Sequence, residues 1–227
     1  MSTPPSASPA SLRGKFLSFE GIDGCGKSTQ AAALAERLER LGLSVVRTRE
    51  PGGTKAGQAL RSVLLAPEYR GLVPDAELLL FLADRVQHLE EVIRPALARG
   101  AAVVCDRFHD ATVAFQHHAR GLDFSLVQPW IDAHIRPLPH LTFWLDVDPA
   151  AAMARLRRRE GAARENAGSE ALTRLDQEPA EFHRRVRQGY RTLAEREPSR
   201  VVRIDGAPAI EPVHEAIWAA VCERFPA

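Results

Sequence analysis

The chain has 227 residues, of which 45% are hydrophobic and 26% are charged, with a formal net charge of +1. This composition is typical of a globular protein that buries a full core. The near-zero net charge gives no general case for a nucleic-acid binder, and no apolar run approaches the ~20 residues that a membrane span needs. The three cysteines are odd in number and far apart, which favours free thiols in a cytoplasmic protein over a disulfide framework.

Residues 1–13 are rich in Ser, Pro and Ala and predict a disordered N-terminal tail, which leaves residues 14–227 as a single domain. Five short apolar segments separated by helical patterns predict strands: KFLSFEG, LSVVRTRE, AAVVCDRF, HLTFWLDVD and SRVVRIDG. This alternation predicts an α/β fold with a five-stranded, mostly parallel sheet and helices on both faces. Ligands of such sheets bind at the carboxyl ends of the strands, so we expect the functional site there.

The clearest helices are amphipathic, with apolar residues spaced by three and four. They are predicted over STQAAALAERLERLG, AGQALRSVLLA, DAELLLFLADRVQHLEEVIRPALARG and IEPVHEAIWAAVCERF. Because the first of them follows directly on a glycine-rich segment, its N-terminus points to an anion site.

That segment, GIDGCGKS at residues 21–28, matches the phosphate-loop pattern G-x-x-x-x-G-K-[ST] between a strand and a helix. Its glycines allow backbone N–H groups to turn inward onto phosphate oxygens. Lys27 is predicted to reach the β- and γ-phosphates of ATP, and Ser28 to hold Mg²⁺. The predicted ATP-binding residues here are Gly21, Ile22, Asp23, Gly24, Cys25, Gly26, Lys27, Ser28 and Thr29.

A small kinase fits this loop best, because the chain has no Asn-Lys-x-Asp segment of a GTPase and is short for a motor ATPase. A kinase whose acceptor carries a phosphate must place positive charge between two anions, and the arginine fork suits that task. Arg49 and Arg107 stand at the ends of predicted strands. Ten arginines lie between residues 155 and 191, around a segment rich in Gly, Asn and Ser. This pattern predicts an arginine-rich lid at about residues 155–175.

Phe81 and Arg85 lie one helical turn apart and can share one surface. Such a surface could stack on a base and bond its edge. The residues alone favour the alternative that Phe81 is core and Arg85 is solvated.

Five stretches, taken in order, resemble the thymidylate kinase family: FEGIDGCGKST, TREPGGT, AELLLFLADRVQHLEEVIRPAL, CDRFHDATVAFQHHARG and LTRLDQEPAEFHRRVRQGY. The likeness spans Lys15 to Phe225. It implies a phosphate-loop nucleoside monophosphate kinase fold and ATP-dependent phosphorylation of dTMP to dTDP for dTTP synthesis. It also implies Mg²⁺ and a homodimer.

The resemblance further implies roles for single residues. Asp23 would lie near the sugar 3′-hydroxyl and the metal. Arg49 and Arg107 would contact the acceptor phosphate, while Phe81 would stack on thymine and Arg85 would bond its O4. The implied dTMP site is Asp23, Arg49, Glu50, Phe81, Arg85, Arg107, Thr112, Phe115 and Gln116, and the implied adenine border is Asp205, Gly206 and Ala207.

Gly24 occupies the loop position where some family members carry an arginine, so the chain resembles the bacterial type that moves this charge to the lid. The implied catalytic residues are therefore Lys27, Arg107 and Asp23, with Arg155, Arg159, Arg164 and Arg174 as lid candidates. Ala111 stands where a serine is common, and Phe115 where a tyrosine is usual, which puts the exclusion of a ribose 2′-hydroxyl in question. His117 and His118 receive no role.

Two alternatives stay open at this level. A deoxynucleoside kinase acting on thymidine would need a carboxylate base, and Glu50 could serve. A nucleotide-binding regulator without turnover would bind ATP and release no ADP in the presence of an acceptor.

Overall fold

The computed structural model describes residues 8–165 and 172–226 of the chain. Five strands form one sheet in the order β2-β3-β1-β4-β5, and every pair is parallel. The strands are Phe16–Glu20 (β1), Val45–Arg49 (β2), Ala102–Asp106 (β3), Leu141–Asp146 (β4) and Val201–Asp205 (β5). The predicted five-stranded parallel sheet is therefore confirmed.

Helices connect successive strands. Those described are Pro9–Leu12 (α1), Lys27–Arg40 (α2), Lys55–Leu65 (α3), Pro74–His88 (α4), Arg94–Ala98 (α5), His109–Thr112 (α6), Phe124–His134 (α7), Pro149–Glu165 (α8), Ala180–Arg196 (α9) and Ile210–Arg224 (α10). A π-helical turn, Leu89–Ile93, joins α4 to α5, and a second, Val113–Ala119, extends α6. A short 3₁₀ turn spans Pro67–Tyr69.

Helices pack on both faces of the sheet. Successive strand residues point to opposite sides, so each strand contributes side chains to both layers. Within β1, Phe16 belongs to one apolar cluster, while Leu17 and Phe19 belong to the other. The same alternation divides Val103 from Val104 in β3. Burial on both faces explains why these strands read as continuous apolar runs.

The prediction of a disordered tail over residues 1–13 is wrong for its described part. Residues 9–12 form α1, and Leu12 is fully buried in the core. Ser11 donates a hydrogen bond through its Oγ to the carbonyl oxygen of Phe225, 3.1 Å away, which ties α1 to the C-terminus. Composition missed this contact because one apolar side chain among small and polar residues carries no periodic signal. Residues 1–7 lie outside the described residues.

The loop after β2 is held in place by buried polar groups of α4. Asp84 accepts a hydrogen bond from the backbone N–H of Gly52 at 3.0 Å, and its second oxygen is buried with no hydrogen-bond partner among the described residues. Gly53 packs so closely on His88 that a Cβ there would come within 2.4 Å of the imidazole ring. Burial, and then the charge of Glu50, raise the pKa of Asp84 to about 6. At neutral pH the Asp84 carboxylate is therefore ionised while buried, which lowers the stability of the folded protein.

We expect the substitution Asp84→Asn to stabilise the protein at pH 7.5. The folded-state pKa of about 6 lies above the ordinary value of 3.8, so the folded chain holds the proton more tightly and stability falls as pH rises from about 4 to 6. Asparagine keeps the acceptor for Gly52 and removes that loss. Because one pKa unit corresponds to about 1.4 kcal/mol, the gain in unfolding free energy is at most about 3 kcal/mol.

Urea unfolding at pH 7.5 and pH 4 measures this difference, which should vanish at the lower pH. Asp75→Asn, on an exposed position of the same helix, is the control and should change stability by no more than about 0.5 kcal/mol. A loss of stability in Asp84→Asn at pH 7.5 would contradict the assignment.

Candidate active site

A cavity of about 520 Å³ lies at the carboxyl ends of β1, β2 and β3. It brings together most of the residues that the sequence points to. Those lining it are Asp23, Gly24, Cys25, Gly26, Lys27, Ser28, Thr29, Arg49, Glu50, Phe81, Arg85, Arg107, Thr112, Phe115, Gln116, Arg155, Arg159 and Gly206. Arg61 and Asp176 also line it and were not predicted.

The phosphate loop has the backbone that its glycines predict. Gly24 and Gly26 adopt φ values of +80° and +103°, in the left-handed region that other residues avoid. A Cβ at Gly24 would also lie 2.3 Å from the carbonyl oxygen of Ala152. This close packing is a physical reason for the absence of an arginine at the loop position. Gly21 and Ile22 are not among the lining residues, and Gly21 packs instead against the backbone of β4.

Lys27 is held over the loop. Its side chain is 6% exposed, and Nζ donates to the carbonyl oxygen of Ile22 at 2.9 Å while lying 3.6 Å from Oδ1 of Asp23. These contacts fix the ammonium group at the cavity wall, where a phosphate oxygen could replace them as its partner.

Ser28 donates a hydrogen bond to Asp106, the last residue of β3. A hydroxyl and a carboxylate oxygen are the ligand types that Mg²⁺ takes from proteins, usually one or two of them beside water and phosphate oxygens. Among the described residues, no cluster of three or more His, Cys, Asp or Glu side chains could hold a metal ion. Asp106 was missed as a site residue, although its place at a strand end was the available signal.

Asp23, predicted to lie near the sugar 3′-hydroxyl and the metal, pairs with two cations. Its Oδ1 accepts from Nη2 of Arg107 at 2.7 Å and faces Lys27. Burial alone would raise the pKa of Asp23, but the charges of Arg107 and Lys27 hold it well below its usual range. The carboxylate therefore stays ionised and orients both cations.

Arg107 has a strained backbone and a side chain held by several hydrogen bonds. Its φ of +71° is the one left-handed value recorded for a non-glycine residue in the described chain. Such a conformation costs roughly 1–3 kcal/mol and persists where neighbours enforce it. Nη1 donates to the carbonyl oxygen of Gly21 at 2.8 Å. Burial alone would lower the pKa of Arg107, but Asp23 raises it well above its usual range, so the group stays cationic.

Glu20 and Tyr190 enforce that backbone, and sequence reasoning missed both. One oxygen of Glu20 accepts from the N–H of Phe108 and the other from the hydroxyl of Tyr190, each at 2.7 Å. The Tyr190 hydroxyl also lies 3.3 Å from Nη1 of Arg107. Burial, and then Asp110, raise the pKa of Glu20 to about 7. Glu20 could have been found from the sequence, because it is the charged residue at the end of the predominantly apolar strand β1.

Arg85 is buried, being 1% exposed, so the alternative that it is solvated is wrong. Its Nε donates to Glu50 at 2.7 Å, and its two terminal nitrogens donate to Oγ1 of Thr112 at 2.7 Å and the carbonyl oxygen of Phe108 at 3.0 Å. A guanidinium has five N–H groups, so two remain for a ligand. Phe81 is half-buried and lines the same wall.

Glu50 belongs to the same wall and is largely buried. Its second oxygen lies 2.9 Å from Nδ1 of His88. Burial alone would raise the pKa of Glu50, but Arg85 and His88 bring it below its ordinary value. Both oxygens are thus engaged, and the group is a weak proton acceptor.

The π-helical turn after α6 completes the wall with Phe115 and Gln116. The ring of Phe115 lies 4.9 Å from the guanidinium of Arg107, a distance suited to a cation–π contact. Ala111 lines the cavity as well, whereas His117 and His118 do not.

The lid arginines divide into three groups. Arg155 and Arg159 line the cavity, and Arg155 donates to the carbonyl oxygens of Gly206 and Ala207 at 2.9 and 2.8 Å. The side chain of Arg164 lies outside the described residues, as do residues 166–171 of the predicted lid.

The prediction that Arg174 is a lid arginine is corrected by the structure, because its side chain does not line the cavity. It is 4% exposed and forms a 2.6 Å ion pair with Glu77. Its backbone N–H donates to the carbonyl oxygen of Leu65 at 2.9 Å, and these contacts with α3 and α4 hold it in the interior, which its position among exposed arginines did not reveal.

Only part of the predicted adenine border lines the cavity. Gly206 faces the cavity, while Asp205 and Ala207 are not among the lining residues. The carboxylate of Asp205 accepts from the N–H of Ala207 at 2.9 Å and so shapes the turn that presents Gly206.

In the part of the chain that the structure describes, no helix has the length and apolar character to cross a membrane.

Comparisons with known proteins identify the family of the chain. A family model described as thymidylate kinase matches residues 19–217. A thymidylate kinase of Solidesulfovibrio magneticus is 50% identical over 207 residues, 91% of this chain and 98% of that protein. One of Trichormus variabilis is 45% identical over 208 residues, 91% and 94% of the two chains. The crystal structure of thymidylate kinase from Ehrlichia chaffeensis superposes with a TM-score of 0.71 at 34% identity, covering 91% of this chain and 97% of that one. The resemblance seen in the sequence is confirmed by these matches: the chain belongs to the thymidylate kinase family.

Proposed function

We propose that this protein transfers the γ-phosphoryl group of ATP to dTMP, forming dTDP. The observation that carries the proposal is a single cavity with two unlike walls. One wall is the phosphate loop with Lys27, the other holds Phe81 and the buried Arg85, and Arg107 stands beside Asp23 at the floor. A donor nucleotide and a base-bearing acceptor therefore fit end to end.

ATP would lie with its phosphates on the N–H groups of the loop and on Lys27, and with its adenine toward Gly206 and Arg155. The acceptor phosphate would contact Arg49 and Arg107. Thymine would stack on Phe81 and accept through O4 from the free N–H groups of Arg85. Ser28 and Asp106 would hold Mg²⁺, which when bound neutralises charge on the phosphate oxygens.

The transfer needs no covalent intermediate and no strong base, because the attacking phosphate oxygen of a monoester is already anionic at neutral pH. The chain's task is to align two phosphates that repel each other and to neutralise their charge. Lys27 and Arg107 supply fixed positive charge, and Asp23 orients both. Arg155 and Arg159 flank the donor side, and closure of the segment at about residues 155–175 over ATP stays a prediction.

A kinase acting on thymidine would need Glu50 as a base. Its two oxygens accept from Arg85 and His88, and its pKa is lowered, so it is poorly suited to remove a proton from a hydroxyl. A regulator without turnover has no observation in its favour.

The protein is further proposed to act in the cytoplasm as a homodimer. Val73, which precedes α4, and Leu79, in the second turn of α4, are 61% and 65% exposed and would be covered in such a dimer. Sedimentation velocity should give about twice the mass of one chain, and Leu79→Arg should shift the protein toward the monomer. A monomer in the unsubstituted protein would contradict the dimer.

The central test is an acceptor panel of dTMP, dUMP, dGMP, UMP and thymidine with ATP and Mg²⁺, followed by ADP release. We expect dTMP to give the highest kcat/KM and thymidine to give none above the ATP background. Faster turnover of thymidine than of dTMP would favour the deoxynucleoside kinase.

Lys27→Ala and Arg107→Ala should each lower kcat by about 10²–10³-fold, the usual loss when one charge-stabilising donor is removed. Lys55→Ala is the matched control, since Lys55 is exposed at the start of α3 and does not line the cavity. Steady-state kcat, with thermal unfolding to verify the fold, is the measurement. A near-normal kcat in either cavity variant would remove that residue from the mechanism.

A further inference from the structure

A carboxylate that does not line the cavity controls one of the side chains that does. Glu77, in α4, is fully buried, and its oxygens accept hydrogen bonds from three side chains of two other segments. Nε2 of Gln116 donates to Oε1 at 2.8 Å. Arg120 reaches Oε2 at 3.1 Å, and Arg174 reaches the same oxygen at 2.6 Å. Gln116 is thus the link between this buried cluster and the cavity wall.

Two arginines keep Glu77 ionised. Burial alone would raise the pKa of Glu77, but hydrogen bonds from Arg120, Gln116 and Arg174 bring it below its ordinary value. An ionised carboxylate accepts hydrogen bonds and cannot donate one. The atom of Gln116 that faces Glu77 must therefore be the amide nitrogen, since the flipped amide would set two acceptors against each other.

The end of the amide that remains for the cavity is the carbonyl oxygen. Gln116 is only 3% exposed, so it has little freedom to turn. On the same wall, Arg85 retains two unused N–H groups. The wall therefore offers hydrogen-bond donors at Arg85 and an acceptor at Gln116.

This pattern is complementary to the imide edge of thymine or uracil, where the O4 acceptor adjoins the N3–H donor. Cytosine presents the reverse, an amino donor at C4 and an acceptor at N3. A base of the wrong pattern would leave buried polar groups unpaired, which is a strong ground for rejection.

We propose that Glu77 is a positioning residue that sets base specificity: by holding the amide nitrogen of Gln116, it fixes the carbonyl oxygen as the acceptor for N3–H of an imide base. This inference rests on the proposed function, because it assumes that the base of a nucleoside monophosphate occupies this wall. A purely structural role, in which Glu77 only neutralises Arg120 and Arg174, makes a different prediction.

The test compares kcat/KM for dTMP with that for dCMP in Glu77→Gln. A neutral amide at residue 77 can donate as well as accept, so the amide of Gln116 is free to turn over. We expect the dTMP to dCMP ratio to fall by about 10- to 100-fold, because one polar group of a reading site is no longer fixed. Arg85 is the same in both proteins, so its share of the discrimination cancels.

Glu178→Gln is the matched control. Glu178 pairs with Arg120 at 2.6 Å, so this variant removes a carboxylate from the same cluster while leaving the bond between Glu77 and Gln116. Its dTMP to dCMP ratio should equal that of the unsubstituted protein. A structural role alone would lower stability in both variants and leave both ratios unchanged, and that outcome would overturn the inference.

A double variant, Glu77→Gln with Gln116→Glu, preserves the charge of the cluster should the single variant fail to fold. It exchanges the two groups, so residue 116 becomes an acceptor whichever way it turns. We expect the preference for dTMP to return in this double variant. A dTMP to dCMP ratio of kcat/KM as low as one would contradict the proposal. Failure of the unsubstituted protein to phosphorylate dTMP would instead contradict the proposed function.

Discussion

The pairing of β1 with β3 is the constraint on which the site depends. The two strands are parallel, with Phe19 in register with Asp106, so both end at one edge of the sheet. That edge places the phosphate loop, which follows β1, beside Asp106 and Arg107, which close β3. The backbone N–H of Arg107 donates to the carbonyl oxygen of Phe19 at 2.9 Å, which extends the pairing into the site. Antiparallel pairing would have put these segments at opposite ends.

A second principle recurs behind the cavity. Buried carboxylates hold the groups that form the cavity wall: Glu20 holds the backbone after Arg107, Glu50 holds Arg85, and Glu77 holds Gln116. Burying a charge is costly unless hydrogen bonds compensate it. Here each buried carboxylate fixes a side-chain rotamer or a backbone turn through its hydrogen bonds. Preorganisation of this kind suits a reaction that relies on positioning and charge neutralisation.

Burial does not shift the pKa values of the buried carboxylates equally, and their hydrogen-bond and charge partners explain the difference. Glu50 and Glu77 face arginines at close range, so their pKa values fall despite burial. Glu20 has a hydroxyl and an N–H as its direct partners and Asp110 nearby, so its pKa rises to about 7. Asp84 has a single backbone partner and rises to about 6. A direct cationic partner thus separates the ionised carboxylates from those with raised pKa values.

The sequence by itself determined the strands, the sheet class and the phosphate loop, because apolar periodicity and glycine spacing are local properties. It also placed Lys27, Ser28 and Arg107 correctly at the carboxyl edge. Tertiary structure alone decided that Leu12 is core, that Arg174 turns inward to Glu77, and that Arg85 is buried. It alone revealed Glu20, Asp106 and Tyr190 as parts of the site. Each of these depends on contacts between residues tens to more than a hundred positions apart, and no local pattern records which distant partner a buried charge will meet.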